Sequence, residues 1–154
     1  MIPGIDDRLI EYLRSELQNS CITYSTPPTP VEGGYDTAIY RFQLEGSSDE
    51  FSEPLILRVF TGSSSGRAGF ESLVQEAVSS VGYPAPRVYF TCIDEVVLGA
   101  GFLIMELMPG QLMTDLPEEV MPEMLAEAHL HLHGIDVDPI KEALESSGFR
   151  SSRR

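Results

Sequence analysis

Residues Gly101–Gly110, GFLIMELMPG, decide how this chain is read. The apolar residues Phe102–Met105 run into Glu106 and then into a Pro-Gly turn. A short apolar run bounded by turn signals is a buried strand more often than a helix. The strand leaves the core at Glu106 and passes to a loop at Pro109. Working outward, Gly82-Tyr83-Pro84-Ala85-Pro86 ends a helix predicted over residues 67–81, since a glycine past the last turn and prolines beyond it stop a helix. Residues 87–93 and 101–107 read as two strands joined across 94–100. Residues 55–60, LILRVF, and 37–44, TAIYRFQL, read as two more. In the latter, Ala38, Tyr40 and Phe42 fall on one side and Ile39, Arg41 and Gln43 on the other.

The ends of the chain are helical by pattern. Asp6 caps a helix to about Leu17, with Ile5, Leu9, Tyr12, Leu13 and Leu17 on one face. Thr26–Pro30, TPPTP, reads as an extended, irregular lead-in, because proline removes a backbone donor. Glu32-Gly33-Gly34 is a turn, and residues 46–53 are a polar loop. Beyond the Pro-Gly turn come helices over residues 116–133 and 138–146. The order is a helix, strands with one helix inserted, then helices. That is an α+β pattern, not alternating βαβ.

Composition narrows the function. The formal net charge is −14 in 154 residues, which opposes binding to nucleic acid or an anionic membrane face. It also makes an anionic ligand costly unless local cations intervene. No apolar run approaches the length of about 18 residues that a membrane helix needs. The N-terminus shows no secretory signal pattern. Cys21 and Cys92 make no metal or redox spacing, which fits reduced thiols in a cytoplasmic protein.

Four constellations could carry chemistry. Gly33, Gly34, Tyr35, Asp36 and Thr37 lie between two strands, where glycines let backbone N–H groups approach a phosphate; the same letters suit an ordinary hairpin. Arg58 is the one charge in an apolar strand and must reach solvent or an anion. Glu71 and Glu76 in the next helix are its candidate partners. His129, His131 and His133 form HLHLHG, but no carboxylate or cysteine at suitable spacing completes a metal site. Asp6-Asp7 and Glu118-Glu119 fall at helix starts, where the helix dipole favours them, and carry no catalysis.

Taken in order, GGYDTAIYRF, LILRVF, FESLVQEAVSSVGYPAPRV, GFLIMELMPG and LAEAHLHLHGID resemble the amino-terminal lobe of the aminoglycoside phosphotransferase and choline kinase family. The resemblance covers Gly33 to about Asp136. It implies a protein-kinase-like N-lobe: an antiparallel sheet of about five strands with one inserted helix, an N-terminal helix and C-terminal helices. It divides the chain into a lead-in over 1–25, a nucleotide-binding lobe with its hinge over 26–110, and the start of a helical lobe over 111–154. It implies ATP as the ligand. Gly33, Gly34, Tyr35, Asp36 and Thr37 would cover the phosphates. Arg58 would stand where the family usually has lysine, and Glu71, by its distance from the Gly-x-Pro-x-Pro turn, would hold it. Met105 would lie behind adenine, with the Glu106 carbonyl and the Met108 N–H on the adenine edge. Leu57, Val88 and Met105 would form the apolar wall.

The departure from the family is large. Its chemistry needs a His-Gly-Asp loop, an asparagine shortly after it and a further aspartate for magnesium. Here His133-Gly134-Ile135-Asp136 differs in spacing, and the only asparagine is Asn19. Catalytic residues and metal ligands are therefore expected to be absent. The expected function is an ATP-binding lobe that meets a small-molecule acceptor only with a second lobe supplied. The alternative is a non-catalytic interaction module that keeps the fold.

Overall fold

A computed structural model describes residues 2–32, 36–62, 66–110 and 117–147. In chain order the elements are α1 (Ile5–Glu16), β1 (Thr23–Val31), β2 (Ala38–Glu45), β3 (Leu55–Val59), α2 (Gly66–Ser80), β4 (Val88–Cys92), α3 (Glu95–Leu98), β5 (Phe102–Glu106), α4 (Met121–His133) and α5 (Asp138–Ser146). The five strands form one sheet in the order β1-β2-β3-β5-β4. Every neighbouring pair is antiparallel. The α+β architecture expected from the sequence is the one observed.

The chain divides into two compact units. The first comprises Met1–Ser72 and Pro86–Leu107, the second Leu73–Ala85 and Met108–Arg154. In the first unit the sheet has two chemically distinct faces. Alternation in β2 and β3 sends Tyr40, Phe42, Leu55, Leu57 and Val59 to one face, where Phe102 and Ile104 of β5 join them. Helix α1 closes this core with Ile5, Leu9, Ile10 and Leu13. Tyr12 meets Phe102 edge-on at 5.1 Å between ring centroids. The opposite face carries a smaller apolar cluster of Phe60, Leu103 and Ala68, the last from the first turn of α2.

Three local expectations are corrected. Thr26–Pro30 is not irregular but lies within β1. An edge strand tolerates proline because one row of its backbone groups has no partner to bond. The register breaks between Tyr24 and Thr26 and between Thr26 and Thr29 absorb the irregularity. Residues 94–100 contain a short helix, α3, whose Asp94 side chain accepts a hydrogen bond from the Val96 N–H at 2.9 Å. The 46–53 loop holds a single 3-10 turn that buries Phe51.

Gly46 closes the β2 end under a tight constraint. Its φ is +77°, and a Cβ there would come within 3.0 Å of the Cys21 carbonyl oxygen. The lone asparagine reinforces this junction: Asn19 donates to the Gly46 carbonyl at 2.9 Å and accepts from the Cys21 N–H at 2.9 Å. Cys21 is exposed and Cys92 buried, and both are free thiols.

The second unit is helical and differently composed. Gly82, at φ +85°, ends α2 as expected from the sequence. Helices α4 and α5 contain no buried residue. Leu125, Leu130 and Leu132 of α4 are 43%, 74% and 46% exposed. Among the described residues, no helix is long and apolar enough to cross a membrane.

Candidate functional site

Arg58 stands on β3, between β2 and β5. It is therefore not an edge arginine facing open solvent. Strand alternation points it to the α2 face, since Leu57 and Val59 on either side are fully buried against α1. The first turns of α2 lie on that face. The open choice between Glu71 and Glu76 resolves for Arg58: its Nη1 is 2.7 Å from Glu71 Oε2. The Arg58 Nε donates to the Thr37 hydroxyl at 3.4 Å. The Arg58 guanidinium also lies over the Phe60 ring, 5.1 Å from its centroid.

The pair is half-buried, with side-chain exposures of 28% and 24%. Ion pairs that retain this much solvent contribute roughly 0–1 kcal/mol to stability, because desolvation and side-chain ordering offset the attraction. Its larger effect is geometric. A carboxylate, a hydroxyl and an aromatic ring fix one guanidinium fork in a defined orientation.

Arg67 completes the cluster, and sequence reasoning missed it. Its Nε donates to Glu71 Oε1 at 2.9 Å, one helical turn away. Its guanidinium also lies over Phe60, at 5.6 Å. Its Nη1 is 3.7 Å from Asp36 Oδ2. The signal was available, because an arginine four residues before a glutamate shares its helix face.

Among the other expected site residues, Thr37 is buried and Asp36 exposed, while Gly33, Gly34 and Tyr35 lie outside the described residues. Met105 pairs with Ile56 of β3 on one side and with Val88 of β4 on the other. Directly paired residues share a sheet face, so Ile56, Met105 and Val88 form one row. Arg58 is two residues on from Ile56 and shares that face. Leu57 does not: it sits in the α1 core with no exposure. Of the expected wall of Leu57, Val88 and Met105, Leu57 lies on the opposite face of the sheet, and Ile56 stands in the row with Met105 and Val88 instead. The sequence held the reason, since neighbours in a strand face opposite ways.

Glu106 ends β5 and ties it to β4. Its carboxylate accepts the Arg87 N–H at 2.8 Å, and its own N–H donates to the Arg87 carbonyl at 3.0 Å. The side chain is thus used locally and leaves the backbone to define the strand end. Met108 belongs to the second unit and is 41% exposed. Two of the α4 histidines lie close together. His129 Nδ1 is 2.8 Å from the Leu125 carbonyl, and its ring stacks on that of His133 at 6.3 Å. Among the described residues, no group of three or more His, Cys, Asp or Glu side chains is arranged to hold a metal.

Comparison with known proteins gives three matches. The model of the phosphotransferase enzyme family matches residues 28–151. A crystal structure described as an aminoglycoside phosphotransferase from Ralstonia eutropha superposes with a TM-score of 0.61 at 19% identity. It covers 87% of this chain, which spans 39% of that one. At such identity the likeness concerns the fold. A protein of Arabidopsis thaliana named as the acyl-CoA dehydrogenase IBR3 is 40% identical over 78 residues, covering 45% of this chain and 9% of that protein. This chain therefore spans well under half the length of either relative.

Proposed function

The chain belongs to the phosphotransferase enzyme family, and we propose that it is an ATP-binding lobe of the small-molecule kinase type. The observation that carries this reading is the ion pair of Arg58 with Glu71 at 2.7 Å. A cation fixed by a helix glutamate and aimed at phosphates is a recurring part of phosphoryl-transfer sites. Arginine suits the task because its planar fork matches phosphate oxygens in pairs. In this reading Thr37, whose hydroxyl is 3.4 Å from Arg58 Nε, stands beside the phosphates. Ile56, Met105 and Val88 contact the adenine ring. The Glu106 carbonyl bonds its edge.

In this reading the magnesium that the family resemblance implies has no ligands assigned in this chain. The chain has no asparagine after Asn19, and its described carboxylates and histidines form no ligand group. Phosphoryl transfer depends mainly on positioning and charge neutralisation. In this reading, with no base or metal ligand assigned, the chain binds nucleotide without turning it over, and acceptor binding requires a second lobe.

Thermal denaturation with increasing ATP tests the reading. A ligand at about one hundred times its Kd stabilises the native state by about 2.7 kcal/mol, and the shift grows with concentration. A concentration-dependent rise in Tm supports a nucleotide-binding lobe. No rise at millimolar ATP supports an interaction module instead. Magnesium-dependent turnover by the purified chain contradicts the non-catalytic part.

A further inference from the structure

We propose that Arg67 is a second phosphate-contacting cation, so that Arg58 and Arg67 form a two-guanidinium clamp for the polyphosphate of a nucleoside triphosphate. The inference rests on the nucleotide-binding reading above and adds to it a residue outside the motifs that suggested that reading.

Charge is the first ground. Arg58 with Glu71 alone is a neutral pair and gives an anion little net attraction. Glu71 is shared, however: Oε2 is 2.7 Å from Arg58 Nη1, and Oε1 is 2.9 Å from Arg67 Nε. Two cations thus share one carboxylate at close range. The second carboxylate near Arg67, Asp36 at 3.7 Å, has a side chain that is 74% exposed. A solvated carboxylate at that distance binds weakly, and an incoming phosphate can take its place. In a chain of net charge −14, a spot that gathers two arginines against their own repulsion is a place built for an anion.

Geometry is the second ground. Both guanidinium groups lie over the same buried ring, at 5.1 and 5.6 Å from the Phe60 centroid. One carboxylate and one ring thus hold two forks close together on the α2 face. Their side chains stay 28% and 34% exposed, which keeps them within reach of a ligand. Arg67 also sits in the first turn of α2, which begins at Gly66. The helix dipole there adds to the same sign. A triphosphate presents several oxygens along a chain and can engage both forks, whereas a single phosphate cannot use both fully.

The test is calorimetric titration of the full chain with ATP, AMP and sodium tripolyphosphate, with folding checked by circular dichroism. Arg67→Gln is expected to weaken ATP and tripolyphosphate about tenfold, as loss of a hydrogen bond to a charged group does. AMP affinity should change less than about twofold, and Arg67→Lys should recover part of the loss. Arg8→Gln, a cation on α1 and so on the opposite face of the sheet, controls for general charge and should change none of the three. If Arg67 touches phosphate itself, Arg67→Gln still weakens ATP severalfold in an Arg58→Gln background. No further loss there overturns direct contact, and equal losses for AMP and ATP do the same; both leave the nucleotide reading standing. Arg67-dependent binding of tripolyphosphate without binding of either nucleotide supports the phosphate contact and overturns the nucleotide reading. Binding of none of the three overturns both.

Discussion

The two faces of the sheet are built for different ends. On the α1 face, β2, β3 and β5 contribute Phe42, Leu55, Leu57, Val59, Phe102 and Ile104, and α1 contributes Leu9 and Leu13. No charged side chain enters that cluster. On the α2 face the apolar cluster shrinks to Phe60, Leu103 and Ala68, and two arginines and a glutamate occupy the remaining space. Burial of apolar surface is the main stabilising term in folding, so the first face holds the sheet together. Half-buried ion pairs contribute little to stability, so the second face is organised for orientation. The alternation of one strand, β3, supplies both: Leu57 to the first face and Arg58 to the second.

That contrast predicts opposite phenotypes for adjacent residues. Leu57→Ala should destabilise the chain by about 2–5 kcal/mol through lost burial and a residual cavity, seen as a lower denaturant midpoint. Arg58→Met should cost no more than about 1 kcal/mol yet remove most of the Tm rise caused by ATP. Equal loss of stability in the two variants would break the comparison. At the edge of the first face, Gly46→Ala should cost about 1–2 kcal/mol, because a left-handed φ and the Cys21 carbonyl both oppose a Cβ. Equilibrium urea unfolding reads that difference.

On the second face, Glu71→Gln should change stability by less than about 1 kcal/mol and weaken ATP binding more than adenosine binding. Uncoupling Arg58 affects phosphate contacts and not the ring. The smallest effect concerns the thiols. Burial pushes the Cys92 thiol above its ordinary range. The fold thus favours the neutral thiol, and that contribution is complete below the ordinary thiol range and is lost as pH rises from there through the raised native value. With a maleimide probe near neutral pH, Cys21 should react quickly and Cys92 only on unfolding. Equal labelling of both would show the α1 core to be more open than its packing indicates.

Much of this was legible in the sequence because local chemistry and tertiary context agree. Strand alternation, the Gly82 stop and the spacing of Glu71 all point to the observed arrangement. The misreadings share a cause. Thr26–Pro30 looks irregular until it is known that β1 is an edge strand, which is a property of the sheet and not of the segment. Leu57 looks like a ligand-facing residue until the partner of each sheet face is known. Arg67 was overlooked because the helix pattern draws attention to its apolar positions, and its partner Glu71 was already assigned to Arg58.

We propose that the α2 face of the sheet binds the nucleotide while the α1 face serves as core. Titration of the isotope-labelled chain with ATP, followed by heteronuclear NMR, separates the two faces. The largest shift changes are expected at Arg58, Arg67, Glu71, Met105 and Glu106, with the resonances of Leu9, Leu13 and Phe42 nearly unmoved. Saturation without change at Arg58 and Glu71, or changes centred on α1, would contradict it.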